Sequence, residues 1–297
     1  MEILPQVQEV LNYIQSIDVS HIEDKWQAGR AFYEKFIPLA GEEETLFTVE
    51  NKRHTRIYRP AAGILPALIY FHGGWFNAGS LDTHDRPLRQ LANQAGVIVI
   101  SVDYRLAPEY PFPHGLNDCI DTTAWILQHA AEMGIDPLRI AVAGDSAGGA
   151  LATAVAGRFP ELKCQVLIYP VTDSSLTSSS WKEFAEGPNL TLAGAIEAWE
   201  YYATDKVKAA PIFNNDLSRM PDAFIITAEY DPLRDEAIAY GEKLRQAHVQ
   251  VTEKLYPKMI HGFFQMGGVI DDGRAVIAEI AKYIRYKLII NHNIVGH

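Results

Sequence analysis

The sequence predicts an α/β fold in which a mostly parallel central sheet is flanked by helices. Apolar runs of β character recur along the chain, and segments of helix length separate most of them. This alternation is typical of parallel strands joined by helical crossovers. With 297 residues, 48% of them hydrophobic, the chain can bury the core of one such domain together with a small cap.

The apolar runs are the predicted strands. They lie at residues 44–50, 52–59, 67–71, 97–102, 138–143, 164–169, 223–228 and 249–256. Before the first of them, apolar residues at helical spacing predict two amphipathic helices, at 7–17 and 25–37. After the sixth strand, a serine-rich loop at 174–180 precedes an aromatic-rich helix predicted over 181–204.

A Gly-Asp-Ser-Ala-Gly motif at residues 144–148 lies where the fifth predicted strand leads into small helix-forming residues. Such a serine is typical of a nucleophile elbow, whose tight turn lifts the hydroxyl above the end of the sheet. The flanking glycines avoid clashes in this bend. The motif therefore predicts that Ser146 attacks an acyl carbon, and a glycine-rich turn without a catalytic role is the alternative.

The third predicted strand ends in His72, Gly73, Gly74 and Trp75. Acyl transfer places negative charge on a carbonyl oxygen, which converging backbone N–H groups stabilise. The candidate donors for this oxyanion hole are Gly73, Gly74, Trp75 and Ala147, the residue after the candidate nucleophile. His72 is interpreted as shaping the loop, and an ordinary turn after a buried strand is the alternative.

A candidate acid and a candidate base follow downstream. Asp231 comes just after the seventh predicted strand, and His261 just after the eighth. Because the carboxyl ends of parallel strands meet at one edge of a sheet, both are expected near Ser146. The order Ser, Asp, His is the one expected for a hydrolase triad on an α/β sheet. Asp235 and Glu229 compete with Asp231, but Asp235 begins a helix and Glu229 lies closer to the strand.

Three charged residues near these motifs are predicted to have structural roles. Asp145 is expected to hold the elbow, because its position beside Ser146 points its side chain away from the hydroxyl. Arg105 and Glu109 are expected to form an internal ion pair or to anchor their loop.

The motifs together resemble the hormone-sensitive-lipase-like branch of the α/β-hydrolase superfamily, the bacterial family IV carboxylesterases. The resemblance also rests on Asp-Tyr-Arg-Leu-Ala-Pro-Glu at 103–109, Pro-Phe-Pro at 111–113, Asp-Pro-Leu-Arg-Asp-Glu at 231–236 and His-Gly-Phe at 261–263. It implies a single α/β-hydrolase domain over residues 1–297, with a helical cap formed by about 1–43 and about 174–215. It also implies a homodimer through the sheet edge near the last strand and helix.

One position departs from the family pattern, because Trp75 stands where the family usually has a third glycine. A backbone N–H donor does not require glycine, so we expect the oxyanion hole to survive while the indole narrows or reshapes the acyl or alcohol pocket. Several aromatic side chains are candidates for lining the pocket, although most are expected to pack the cap onto the core. They are Trp75, Trp181, Phe184, Trp199, Tyr201, Tyr202 and Phe213.

Composition excludes several classes of protein. The net charge of −11, without a basic run, argues against a nucleic-acid partner. Two cysteines, Cys119 and Cys164, are expected to be buried free thiols in a reducing compartment. The chain shows no secretory leader pattern and no apolar run of membrane-spanning length, so we expect a cytoplasmic protein without membrane insertion. No metal or cofactor motif is present, and none is implied.

The function predicted first is therefore hydrolysis of short- to medium-chain acyl esters by a Ser146–His261–Asp231 triad through an acyl-enzyme. An amidase or peptidase with the same triad is the alternative. A ligand-binding protein on the same scaffold is disfavoured, because all three triad residues are present.

Overall fold

An eight-stranded sheet runs through the molecule. We describe it from a computed structural model that covers residues 1–290, so residues 291–297 of the expected domain lie outside the described residues. The strands are β1 (Thr48–Lys52), β2 (Thr55–Arg59), β3 (Leu65–Phe71), β4 (Ile98–Val102), β5 (Ile135–Asp145), β6 (Cys164–Ile168), β7 (Asp222–Tyr230) and β8 (Val251–Ile260). Their order is β1-β2-β4-β3-β5-β6-β7-β8.

The strand pairing confirms the predicted mostly parallel sheet. β2 pairs antiparallel with β1 and with β4, and every other neighbouring pair is parallel. The central strands are buried on both faces, which explains why they appear in the sequence as unbroken apolar runs. β5 extends to Asp145 because Gly144 and Asp145 still pair with Leu167 and Ile168 of β6.

Helices cover both faces of the sheet. They are α1 (Pro5–Ser16), α2 (Lys25–Glu34), α3 (Asp85–Ala95), α4 (His114–His129), α5 (Ala147–Ala156), α6 (Ser179–Glu183), α7 (Leu192–Tyr202), α8 (Lys206–Ala209), α9 (Arg234–Gln246) and α10 (Asp271–Arg285). α4, α5 and α9 pack into one hydrophobic cluster, and α1, α3 and α10 pack into a second. The sheet therefore separates two apolar layers, and its carboxyl edge lies between them.

The prediction of one continuous aromatic-rich helix over 181–204 is wrong. The structure has α6 and α7 instead, separated by residues 184–191, where Glu186 and Thr191 form an isolated β-bridge. The interruption contains Pro188, and the residue before a proline is disfavoured in the helical conformation. α7 then begins anew, with the Thr191 hydroxyl accepting a hydrogen bond from the Gly194 amide.

The predicted N-terminal helices are present as α1 and α2, but α2 ends at Glu34, three residues before the predicted end, and a turn leads into a short 3₁₀ helix at Ile37–Ala40. Cys119 and Cys164 are buried and free, as expected. Across residues 1–290, no helix combines the length and apolar character needed to cross a bilayer.

Candidate active site

Ser146 lies in a strained turn between β5 and α5. Its φ of 54° and ψ of −120° are sparsely populated by residues with a side chain. The turn is tight, since a Cβ on Gly144 would lie 2.2 Å from the Gly148 carbonyl oxygen and one on Gly148 would lie 1.9 Å from that of Phe71. Only glycine fits at these two positions, so the Gly-x-Ser-x-Gly spacing is a steric requirement of the elbow.

Ser146, His261 and Asp231 are joined by hydrogen bonds. His261 Nε2 lies 3.0 Å from Ser146 Oγ, and His261 Nδ1 lies 2.8 Å from Asp231 Oδ2. The other carboxylate oxygen of Asp231 accepts the Leu233 amide at 2.9 Å, which fixes the carboxylate plane. All three side chains are buried. The structure therefore brings together, from the ends of three strands, the residues that the sequence singled out.

The two competing acids lie elsewhere. Asp235 accepts a hydrogen bond from the Ser180 amide at 2.8 Å, and Glu229 accepts one from the Lys258 amide at 2.7 Å. Asp235 thus binds the start of α6 and Glu229 binds β8, and neither is hydrogen-bonded to the imidazole of His261.

Two residues that sequence reasoning missed hold His261 in place. The Asn189 amide donates to the His261 carbonyl oxygen at 2.9 Å, and the Tyr169 ring packs against the imidazole with centroids 4.6 Å apart. Tyr169 has a φ of 34°, so its backbone is also strained. The sequence could have indicated Tyr169, because this residue directly follows the sixth strand, at the same sheet edge as the other site residues.

Asp145 ties the elbow to the loop after β3. Its Oδ1 accepts hydrogen bonds from the Tyr70 hydroxyl at 2.8 Å and the Gly73 amide at 2.9 Å, and it lies 3.1 Å from Nε2 of His84. Burial alone raises the pKa of Asp145, but the proximity of His84 and these hydrogen bonds outweigh burial and hold the pKa below its usual value. The predicted structural role of Asp145 is confirmed.

The same contact corrects one predicted oxyanion donor. The N–H of Gly73 is taken by Asp145, so Gly73 positions the loop and does not offer a free donor. The amides of Gly74 and Trp75 have no hydrogen-bond partner among residues 1–290. Ala147 is the first residue of α5, where the backbone N–H has no partner within the helix. Gly74, Trp75 and Ala147 remain the candidate donors.

His72 stabilises this loop from below, as the sequence suggested. Its imidazole stacks on the Tyr104 ring, with centroids 4.3 Å apart, and its Nδ1 lies 2.8 Å from the Gly73 carbonyl oxygen. Burial lowers the pKa of His72 to about 3, so its ring is neutral at ordinary pH.

A cavity of about 270 Å³ opens beside Ser146 and His261. Its aromatic walls come from α2 and the turn after it, from the loop after β3 and from α7, and they are Trp26, Phe32, Tyr33, Phe36, Trp75 and Tyr201. Two of the predicted pocket aromatics, Trp75 and Tyr201, therefore line this cavity. The aromatics from the α2 region were missed, although the resemblance had already assigned that region to the cap.

The other predicted pocket aromatics do not line this cavity. Phe184 packs against Tyr230, and Tyr202 stacks on Phe76 with ring centroids 3.6 Å apart. Trp199 belongs to the same buried layer and packs against Phe76 and Tyr202, and Trp181 is fully buried. Phe213 is partly exposed and borders a different cavity. Helical spacing does not show which side of a cap helix faces the site.

Trp181 is held by a buried acid that the sequence reading had not singled out. Its indole N–H donates to Glu236 Oε2 at 2.8 Å, and Glu236 Oε1 accepts the amides of Thr172 and Asp173. Burial raises the pKa of Glu236 to about 8, although these hydrogen bonds oppose the rise. Glu236 thereby joins α9 to the segment that follows β6.

Arg105 and Glu109 form ion pairs, but with partners that the sequence did not predict. Arg105 pairs with Asp118, and Glu109 pairs with Arg30 of α2. Among the described residues, no group of three or more His, Cys, Asp or Glu side chains could hold a metal ion.

A hydrogen-bonded serine, imidazole and carboxylate at the carboxyl edge of a mostly parallel sheet define the class of α/β hydrolases. The chain belongs to this family, since a family model described as an alpha/beta hydrolase fold matches residues 68–265. The resemblance to its hormone-sensitive-lipase-like branch is thereby confirmed.

Named relatives are esterases. Carboxylesterase NlhH of Mycobacterium tuberculosis is 42% identical over 231 residues, which are 72% of this chain and 72% of that protein. Ethyl acetate hydrolase of Pseudomonas putida is 36% identical over 288 residues, covering 87% of this chain and 90% of that protein.

Solved esterases have the same architecture. An ester hydrolase from the metagenome of Lake Arreo superposes with a TM-score of 0.88 and 35% identity, over 95% of this chain and 98% of its own. A hyperthermophilic esterase of Pyrobaculum calidifontis superposes with a TM-score of 0.84 and is 35% identical, over 96% of this chain and 99% of its own.

Proposed function

We propose that this carboxylic ester hydrolase cleaves short- to medium-chain acyl esters through an acyl-enzyme formed on Ser146. One observation carries the proposal: His261 lies within hydrogen-bond distance of both Ser146 Oγ, at 3.0 Å, and Asp231 Oδ2, at 2.8 Å. The esterase names of the relatives support ester hydrolysis over amide hydrolysis.

The first half-reaction transfers the acyl group to the enzyme. Ser146 Oγ forms a bond to the ester carbonyl carbon while its proton passes to His261 Nε2. The carbon–oxygen bond to the alcohol then breaks, and the leaving oxygen takes that proton from His261. Asp231, at 2.8 Å from Nδ1, fixes the ring orientation and stabilises the transient imidazolium.

The second half-reaction consumes one water molecule. Water adds to the acyl carbon and gives a proton to His261. Ser146 Oγ then leaves and recovers that proton, which releases the carboxylic acid. In both halves the carbonyl oxygen becomes negative, and the amides of Gly74, Trp75 and Ala147 are the donors proposed to stabilise it.

We further propose that the helical segments at about 1–43 and about 174–215 act as a cap on one catalytic domain. The cavity beside Ser146 supports this proposal, because Trp26 and Tyr33 of the first segment and Tyr201 of the second contribute to its walls. The substrate would then enter between the two segments.

The net charge of −11 supports a protein that acts without nucleic acid, and we propose that it works in the cytoplasm. We also propose a homodimer through the β8 edge of the sheet, where residues 252–255 are exposed. Light scattering after gel filtration measures the mass, and a monomer mass at micromolar concentration would count against the dimer.

The test of the catalytic proposal is hydrolysis of p-nitrophenyl acetate by the wild type, by Ser146→Ala and by Ser218→Ala, a control at an exposed serine. We expect a pre-steady-state burst from the wild type and the control. In Ser146→Ala, kcat should fall by about 10⁴-fold or more, because the nucleophile is lost.

Two results would overturn the proposal. Equal rates for the wild type and Ser146→Ala would mean that Ser146 is not the nucleophile. Faster turnover of p-nitroacetanilide than of the matched ester would mean that the same residues serve an amidase.

A further inference from the structure

The surroundings of Ser146 differ on the two sides of the sheet. The segment after β8, with Phe263 and Phe264, belongs to the hydrophobic layer of α1, α3 and α10. Trp181 belongs to the opposite layer, and Trp75 packs against that layer. The nucleophile at the edge of the sheet therefore has His261 towards one layer and two indoles towards the other.

Chemistry decides which part of an ester lies on each side. The carbon attacked by Ser146 carries the oxyanion, the leaving oxygen and the acyl chain. The oxyanion must face the amide donors, and the leaving oxygen must lie within reach of Nε2 of His261 in order to receive its proton. The acyl chain takes the remaining direction, away from His261.

The cavity beside Ser146 extends to the His261 side of the site. The cavity of about 270 Å³ is lined by His261, by Gly262 and Gln265 just after it, and by apolar rings such as Phe32 and Phe36. An apolar cavity of about 150 Å³ already holds a benzene ring, so this one has room for an aromatic or branched alcohol.

On the side of the opposite layer, two tryptophans lie next to each other. Trp75 lines the cavity, whereas Trp181 does not, and the two ring centroids are 6.5 Å apart. Trp75 has a φ of 52°, a left-handed conformation that is costly for a bulky residue. Trp181 is held by its hydrogen bond to the buried Glu236. Trp181 therefore restricts the movement of the Trp75 indole. A glycine at position 75 would leave the space of this indole open.

We propose that Trp75 is the residue that determines acyl-chain specificity and that the substrates are acetyl- or propionyl-sized esters of bulky apolar alcohols. This inference rests on the proposed function and narrows it. The acyl group fits between Ser146 and Trp75, and the alcohol fits in the cavity beside His261. Longer acyl chains collide with an indole that Trp181 prevents from retreating.

A pair of isomeric esters tests the assignment directly. Phenethyl acetate has a small acyl group and a bulky alcohol, whereas ethyl phenylacetate has the two sizes exchanged. Both leaving groups are primary alcohols. We expect kcat/KM of the wild type to favour phenethyl acetate by about tenfold or more, the scale on which pockets discriminate size. Equal values, or a preference for ethyl phenylacetate, would overturn the inference.

Two variants test the acyl side and the alcohol side of the site separately. Trp75→Gly removes the indole and suits the positive φ, so the ratio of p-nitrophenyl hexanoate to p-nitrophenyl acetate turnover should rise by about tenfold. Phe32→Ala, on the cavity side, should change the ratio of phenethyl acetate to ethyl acetate and leave the acyl-chain ratio within about twofold. An unchanged acyl-chain ratio in both Trp75→Gly and Trp75→Leu would contradict the role of Trp75.

These experiments distinguish failure of the specificity inference from failure of the proposed function. If no ester is hydrolysed, or if Ser146→Ala is as active as the wild type, the catalytic proposal fails. If esters are hydrolysed through Ser146 but butanoyl or hexanoyl esters are preferred to acetyl esters, only the specificity inference fails.

Discussion

At the scale of single residues, Asp145 connects the nucleophile turn to the amides that would stabilise the oxyanion. Two donors, the Tyr70 hydroxyl and the Gly73 amide, converge on one of its oxygens, and His84 Nε2 lies 3.1 Å from the same oxygen. Since Gly73 directly precedes Gly74 and Trp75, the position of their amides depends on this carboxylate. Asp145 is thus a positioning residue: it borders the cavity, but its Oδ1 is engaged by Tyr70 and Gly73 and it makes no hydrogen bond to Ser146 Oγ.

Replacing Asp145 should lower kcat more than it changes KM. Asp145→Ala removes the acceptor, and we expect kcat for p-nitrophenyl acetate to fall by about 10²-fold, the effect of losing one oxyanion donor. Asp145→Asn keeps an oxygen acceptor and should restore kcat to within about tenfold of the wild type. The measurement is steady-state kinetics of both variants with circular dichroism as a check of folding.

Tyr70→Phe is the matched control, because it removes one donor to Asp145 and leaves the contact with Gly73 in place. We expect it to keep most of the wild-type kcat. A folded Asp145→Ala protein with unchanged kcat would show that the loop is positioned without Asp145.

At the scale of secondary-structure elements, Arg30 attaches α2 to the body of the protein. Its guanidinium pairs with Glu109 at 2.7 Å and also donates to the carbonyl oxygens of Asn77 and Ala107. α2 carries Trp26 and Tyr33 into the cavity wall. Together with the hydrogen bond from the Tyr33 hydroxyl to Gln265, Arg30 therefore holds the helix that shapes the proposed alcohol side of the site.

Arg30→Met should loosen α2 and raise KM for phenethyl acetate several-fold, with a smaller change in kcat because the triad does not contact Arg30. Gln27→Met is the control, since Gln27 is an exposed residue of α2 that does not line the cavity. The measurement is KM and kcat of both variants for phenethyl acetate, from steady-state kinetics. Equal KM changes, or none in Arg30→Met, would refute the role of Arg30.

The elements also show where sequence reasoning stops. The two N-terminal helices and the parallel strands were predictable, because periodicity and unbroken apolar runs report burial directly. The break between α6 and α7 was not predicted, because aromatic residues continue on both sides of Pro188 and conceal it. The direction in which each cap aromatic faces depends on tertiary packing, so Trp181 and Trp199 could not be distinguished from Tyr201 by spacing.

At the scale of the whole molecule, the position of Ser146, Asp231 and His261 just after predicted strands was sufficient to predict that they meet. Parallel strands bring their carboxyl ends to one edge, whatever the loops between them contain. The hydrogen bond that removes Gly73 from the donors was not predictable, because it depends on an atomic distance between two motifs 72 residues apart. Glu236 was named only as the last residue of the motif at 231–236, because a motif does not show which of its acids is buried.

Glu236 predicts how the stability of the whole protein depends on pH. Its usual pKa is 4.5, and burial raises it to about 8 in the folded protein. The folded state therefore binds this proton more tightly than the unfolded state. The resulting stabilisation is fully present below about pH 4.5 and is lost as pH rises towards 8. The limiting slope is about 1.4 kcal/mol of unfolding free energy per pH unit.

Glu236→Gln cannot titrate, so it lacks this contribution at every pH. It also directs an N–H group towards either Trp181 or the amides of Thr172 and Asp173, and we expect it to be less stable than the wild type at pH 5. The difference should shrink as pH rises to 8, measured by denaturant unfolding at pH 5, 6, 7 and 8. Glu242→Gln, at an exposed position of α9, should follow the wild type throughout. A constant difference between wild type and Glu236→Gln across this range would mean that Glu236 keeps its charge in the folded protein, held ionised by its three N–H donors.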